Sequence, residues 1–205
     1  MSEGFIHVFE PGDPSRTLLL LHGTGGDEND LVSLGRQLAP GAGILSPRGK
    51  VLENGMPRFF RRLEVGKLDI PDLLARTDEL ADWLGRAAGD YGFDPAGVIG
   101  LGISNGANIA ASLLFRRPET LGGAALLRPM LPYPPPGDLD LDGAPVLVAS
   151  GGQDHFVPAA ESEELAQQLE AHGAEVEYVF DPASGHGITQ DDLLAVRAWL
   201  ATAFG

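Results

Sequence analysis

The sequence predicts an α/β fold: a mostly parallel, twisted sheet with helices on both faces and no separate cap domain. Three observations carry that expectation. Short, continuous apolar runs such as 17–21 (TLLLL) and 145–150 (PVLVAS) read as strands buried on both faces. Longer stretches with helical spacing alternate with these runs, as in chains that build a parallel sheet. Between them, 98–108 (VIGLGISNGAN) reads as a buried strand turning sharply into a helix, with one serine at the bend. With 205 residues, 43% of them hydrophobic, the chain is long enough for one well-buried core, and a single domain spanning 1–205 is expected.

Residues 5–10 alternate apolar and polar side chains as an edge strand does, and the PGDP sequence turns the chain into 17–21. Residues 30–38 place Leu31, Leu34 and Leu38 at helical spacing, and GAG ends that helix before a strand at 44–46. From 47 to 71 the pattern breaks down into an irregular loop carrying Arg48, Lys50, Arg58, Arg61, Arg62 and Lys67, six of the 14 cations. A long excursion after a strand lies over the site face, so Phe59, Phe60 and Arg61 are expected in a substrate pocket. A salt-bridged structural loop is the competing reading. Residues 72–88 form an amphipathic helix whose stripe includes Leu73, Leu80, Trp83 and Leu84. After the serine, 107–115 is helical, 122–127 a strand, 159–172 a helix, 176–180 the last strand and 189–204 the closing helix.

Composition excludes several functions. A net charge of −15 repels phosphate backbones and anionic membrane surfaces, so nucleic acid is not an expected partner. With zero cysteines there is no disulfide, thiolate nucleophile or cysteine-ligated metal, which fits a cytoplasmic protein. The opening MSEGFIHVFEPG, with no basic stretch or long apolar run, is not expected to act as a signal peptide, and no apolar run in the sequence is long enough to span a membrane.

In a parallel sheet the reactive groups gather where the strands end. Gly102-Ile103-Ser104-Asn105-Gly106 places Ser104 on a strained strand-to-helix turn, with glycines where neighbouring chain must approach closely. The hydroxyl would lie at a helix N-terminus, where unpaired N–H groups favour developing negative charge. A dinucleotide fingerprint fails here, because the third glycine counted from Gly100 falls on Asn105. The His22-Gly23-Thr24-Gly25-Gly26-Asp27 loop lacks the Gly-Lys-Ser/Thr of a phosphate loop. Its Thr24 N–H, with that of Asn105, is expected to form an oxyanion hole, and His22 is read as orienting the loop. A serine needs a base, and His186 is the histidine flanked by glycines on a loop of the active face. Asp154 follows the penultimate strand and is the expected carboxylate behind that histidine, with Asp181 as runner-up. Met130, Leu131 and Phe156 lie at strand ends on the same face and are expected as pocket walls.

From 20 to 187 the chain resembles the phospholipase/carboxylesterase family of small α/β-hydrolases. The segments that carry the resemblance are LHGTGGDEND, LGISNGAN, GGQDHFVP and GHGIT, in that order. The resemblance implies Ser104, Asp154 and His186 as a catalytic triad, with oxyanion N–H groups from Thr24 and Asn105. The elbow reads S-N-G-A where the thioesterase branch has S-Q-G-G, which places the chain nearer a bacterial carboxylesterase branch. A serine carboxylesterase for short-chain or small aromatic esters is therefore expected, free of metal and cofactor, with a possible homodimer. The alternatives are a lysophospholipase or acyl-protein thioesterase, and a non-catalytic small-molecule receptor on the same fold. A histidine base must be neutral to act, so activity is expected to fall on acidification through about pH 6 to 6.5.

Overall fold

The computed structural model describes residues 4–204. The chain opens with β1 (His7–Glu10), β2 (Asp13–Leu21), α1 (Val32–Leu38) and β3 (Ala42–Pro47). Four short strands follow, β4 (Val51–Glu53), β5 (Met56–Arg58), β6 (Arg62–Glu64) and β7 (Lys67–Leu68), and then α2 (Ile70–Tyr91). From there β8 (Val98–Ile103), α3 (Asn105–Arg116), β9 (Gly123–Leu127), β10 (Pro145–Gly151), α4 (Ala159–Ala171), β11 (Glu175–Asp181) and α5 (Gln190–Ala203) complete the chain.

Seven strands form one sheet in the order β1-β3-β2-β8-β9-β10-β11. β1 is antiparallel to β3 at one edge, and the remaining pairs are parallel. Alternation along β2 divides the core. Leu19 and Leu21 face a cluster built with α2, α3 and α4, including Leu73, Leu80, Ile109, Leu113 and Leu165. Leu18 and Leu20 face the other layer with Val32 and Leu38 of α1 and Val196, Trp199 and Leu200 of α5. An apolar run with no polar alternation is what a strand covered on both faces requires. No helix among the described residues is long and apolar enough to cross a membrane.

Strand order reverses between β2 and β8, because the chain moves outward from β2 to β3 and then returns to β2's other side. The loops leaving these two strands therefore open side by side, and a crevice forms between them. Those loops are 22–27 and the turn at Ser104.

Segment 47–71 is not an irregular loop. Its strands pair as two antiparallel hairpins, β4 with β5 and β6 with β7. The first is closed by Asn54 and Gly55, both at positive φ (52° and 81°), the two-residue turn whose twist matches that of paired strands. The cations of this segment are mostly paired. Arg48 meets Glu28, Lys50 meets Glu79 at 2.6 Å, and Arg61 meets Asp69 at 3.0 Å. Helix α2 begins earlier and ends later than its apolar stripe suggests. Asp69 caps it by accepting from the Asp72 N–H, and Gly92, in the left-handed region, ends it.

Candidate active site

Ser104 sits between β8 and α3 with φ 51° and ψ −110°, a conformation that a non-glycine residue adopts only when its surroundings enforce it. Two contacts enforce it. The Ser104 N–H donates to Leu127 O on β9 at 2.8 Å, and its carbonyl accepts from the Asn108 N–H at 2.9 Å. The flanking glycines are sterically required. A Cβ on Gly106 would lie 1.9 Å from Leu21 O, and one on Gly102 would lie 2.5 Å from Gly106 O. The turn is thus pressed directly against the end of β2, and the serine side chain is left pointing out of it.

Three loops bring polar groups to that hydroxyl. His186 Nε2 lies 3.0 Å from Ser104 Oγ, and His186 Nδ1 lies 2.7 Å from Asp154 Oδ2. A carboxylate only accepts, so Nδ1 carries the proton and Nε2 is left to accept from the serine. Asp154 Oδ1 accepts from the backbone N–H of Phe156 (2.8 Å) and of Val157 (3.0 Å), and its side chain is 1% exposed. Burial works against its charge. The Val157 N–H, His186 and the Phe156 N–H together outweigh that and hold the carboxyl below its ordinary value. Asp181 points elsewhere, accepting from the Ala183 N–H. The Phe156 ring lies over His186, with centroids 5.2 Å apart.

On the opposite side, Gly25 at φ 88° folds the 22–27 loop back on itself. Its N–H is taken by Pro57 O and that of Gly26 by Gly23 O. Among the described residues no acceptor takes the N–H of Thr24 or of Asn105, and both residues border the pocket at Ser104. His22 is 1% exposed, donates from Nδ1 to Gly23 O at 2.7 Å and accepts from the Gly49 N–H at Nε2, 2.9 Å. It therefore ties the loop to the end of β3, and both of its ring nitrogens are engaged by backbone groups rather than by Ser104. Burial pushes the His22 pKa below its ordinary value, against the Gly23 carbonyl and nearby acids that favour the charged ring. The unfolded chain therefore binds this proton more readily. Stability is full above about pH 6.5 and is lost as pH falls from there toward the folded value. In thermal melts between about pH 7.5 and 5, the wild type is expected to lose stability more steeply than His22→Gln. Parallel curves for the two proteins would show that His22 contributes nothing to the slope.

The pocket in front of Ser104 has a volume of about 310 Å³. Met130 and Phe156 line it, whereas Phe59, Phe60, Arg61 and Leu131 do not. Phe59 and Phe60 are buried beneath it. The Phe59 ring lies 4.7 Å from His22, and the Phe59 N–H donates to Asn105 Oδ1 at 2.7 Å. Arg61 faces outward to Asp69, and Leu131 packs against the core. Residues 59–61 form the bend between the two hairpins, and Arg58 at the end of β5 and Arg62 at the start of β6 line the pocket in their place. Val65 and Leu68 of the second hairpin also line it. The two-residue Asn54-Gly55 turn was the signal in the sequence that identifies the hairpin.

A further group holds the histidine loop. Arg128, at the end of β9, is fully buried and donates to Gly185 O (2.9 Å), Gly187 O (3.1 Å), Ser184 Oγ (3.3 Å) and both oxygens of Asp192 (2.6 and 3.1 Å). The carbonyls on either side of His186 are thus fixed by one guanidinium.

A model of the prolyl oligopeptidase family matches residues 126–205. Over 193 residues, 94% of this chain and 96% of the relative, the sequence is 47% identical to "Putative hydrolase MhqD" of Bacillus subtilis (strain 168). The chain belongs to the phospholipase/carboxylesterase family of α/β-hydrolases. Among solved structures, a Bacillus cereus carboxylesterase superposes with a TM-score of 0.95 at 45% identity, covering 99% of this chain and 96% of that one. A carboxylesterase from Mesorhizobium loti gives 0.90 at 34% identity, covering 98% and 97%. The protein is a serine hydrolase, and both the α/β-hydrolase fold and the family expected from its motifs are those found.

Proposed function

We propose that this hydrolase is a carboxylesterase for short-chain or small aromatic esters, acting through an acyl-enzyme on Ser104. The observation that carries the reading is the Ser104-His186-Asp154 relay, with its 3.0 and 2.7 Å contacts, at the mouth of an uncapped pocket. In this reading His186 Nε2 takes the hydroxyl proton as Ser104 Oγ attacks the ester carbonyl. Asp154, kept ionised by its hydrogen bonds, stabilises the imidazolium that results. The N–H groups of Thr24 and Asn105 receive the oxyanion, aided by the N-terminus of α3. The alcohol leaves with the proton from His186, and water activated by the same ring then releases the acid. The carboxylesterase names of the relatives support an ester substrate.

A pocket of about 310 Å³, at the lower end of small-molecule sites, supports short acyl groups over long ones. Hydrolysis of p-nitrophenyl esters from acetate to decanoate tests this. The rate constant kcat/KM is expected to peak at short chains and decline beyond them. A peak at octanoate or longer would overturn the short-chain reading and favour a lysophospholipase or acyl-protein thioesterase.

A further inference from the structure

We infer that the pocket selects esters bearing a second, anionic group: a carboxylate on a short chain, as in the half-ester of a small dicarboxylic acid. This rests on the esterase reading above and specifies its substrate class.

Among the described residues lining the pocket, the Lys, Arg, Asp or Glu side chains are Arg58 and Arg62 alone. In a chain with 29 acidic and 14 basic residues, that local reversal of sign is not what composition supplies. Arg58 is buried, its side chain 4% exposed, while that of Arg62 is 26% exposed. Arg58 donates from Nε to Phe60 O at 3.1 Å and from Nη1 to Thr24 Oγ1 at 2.5 Å. Its cationic end therefore adjoins the loop that presents the Thr24 N–H beside Ser104.

One carboxylate serves both guanidiniums. Glu53 Oε1 lies 2.9 Å from Arg62 Nε and Nη2, and Glu53 Oε2 lies 3.2 Å from Arg58 Nε. Two positive charges against one negative leave a surplus cation. Among the described residues, Arg58 Nη2 and Arg62 Nη1 meet no acceptor. Burial first, and the adjacent Arg62 charge second, press the Arg58 pKa downward despite Glu53. A half-buried cation pair with too little negative charge is costly unless an anion completes it. The guanidinium fork suits a carboxylate, accepting it through parallel N–H bonds. Ile103, Met130, Phe156 and Val157 supply an apolar lining for the intervening carbons. Anchoring the remote carboxylate would hold the scissile ester near Ser104 and raise kcat/KM.

The test compares monoethyl succinate with ethyl butyrate, which differ by a carboxylate in place of a methyl group. In each reaction water adds, the acyl C–O bond breaks, and ethanol and the acid are formed. The wild type is expected to favour the succinate by roughly ten- to hundredfold in kcat/KM. Arg62→Gln leaves Arg58 and Glu53 as a neutral pair and is expected to lower that ratio by about tenfold. Glu53→Gln enlarges the cationic surplus and is expected to raise it. A ratio at or below one in the wild type, or one unmoved by both variants, would overturn the inference. A second readout does not need turnover. Calorimetric titration of Ser104→Ala protein is expected to show succinate binding about tenfold more tightly than butyrate, with the difference lost on adding Arg62→Gln. Equal affinity, or no binding of either, also overturns the inference. Failure of the esterase reading looks different: Ser104→Ala would retain turnover, or no p-nitrophenyl ester would be cleaved.

Discussion

Ser104→Ala is expected to lower kcat by at least about 10³-fold on the preferred p-nitrophenyl ester, roughly 4 kcal/mol of transition-state stabilisation. In the proposed mechanism this hydroxyl attacks a carbonyl held by the Thr24 and Asn105 amides. His186→Ala is expected to cost a similar factor, since a serine at its free pKa is a poor nucleophile without a base 3.0 Å away. Asp154→Asn removes the charge facing Nδ1 and allows the amide to donate to the ring, turning the imidazole to the wrong tautomer. In the proposed mechanism the three groups act as a unit, so Ser104→Ala/His186→Ala is expected to be no slower than either single variant. Thermal midpoints should move little for Ser104→Ala, because alanine keeps the strained backbone and loses the bond to His186. Steady-state kinetics with melts on the same samples reads all of this. A single variant within tenfold of wild type would remove that residue from the mechanism, and multiplicative losses in the double variant would show that the two do not act together.

The parts of this molecule that read directly from sequence are those where one local rule decides the outcome. Apolar runs without alternation, such as 17–21, have no face that tolerates water and so became central strands. The elbow was legible because Gly102 and Gly106 lie where backbone approaches too closely for a Cβ, and sterics of that kind leave a pattern in residue type. Loop position and chain order point to Asp154 and His186, and the structure brings His186 to Ser104 and Asp154 to His186. The pocket walls were less legible. Phe59, Phe60 and Arg61 are expected at the pocket because a long excursion after a strand lies over the site face, but they fall in the bend between the two hairpins, where both phenylalanines are buried and Arg61 meets Asp69. Arg58 at the end of β5 and Arg62 at the start of β6 flank that bend and line the pocket instead. The Asn54-Gly55 pair did carry the hairpin signal. Arg128 was legible only as a residue at a strand end, because its partners lie 56 to 64 positions away and nothing local announces them.

Arg128 should be the residue outside the Ser104 relay whose loss is felt most. It adopts φ 56°, held by its N–H bond to Ala149 O at 2.8 Å, and places a fully buried guanidinium among five acceptor contacts. Arg128→Met leaves Asp192 buried with only the Thr189 N–H and hydroxyl at 2.7 and 3.0 Å, and it strips the carbonyls of Gly185 and Gly187 of their donor. Breaking one side of a buried pair costs about 3–5 kcal/mol. For a protein of this size that is a fall in thermal midpoint of roughly 6–20 °C. Arg128→Lys is expected to fall between the two, because an ammonium cannot span Asp192 and both carbonyls at once. Replacing both partners, Arg128→Met/Asp192→Leu, removes the unpaired charge and should recover much of the stability. It does not restore the donor to the loop around His186, so kcat on a p-nitrophenyl ester is expected to stay depressed while KM changes less. That separation between melting and turnover distinguishes a clamp on the histidine loop from a purely structural ion pair, for which activity would return together with the midpoint.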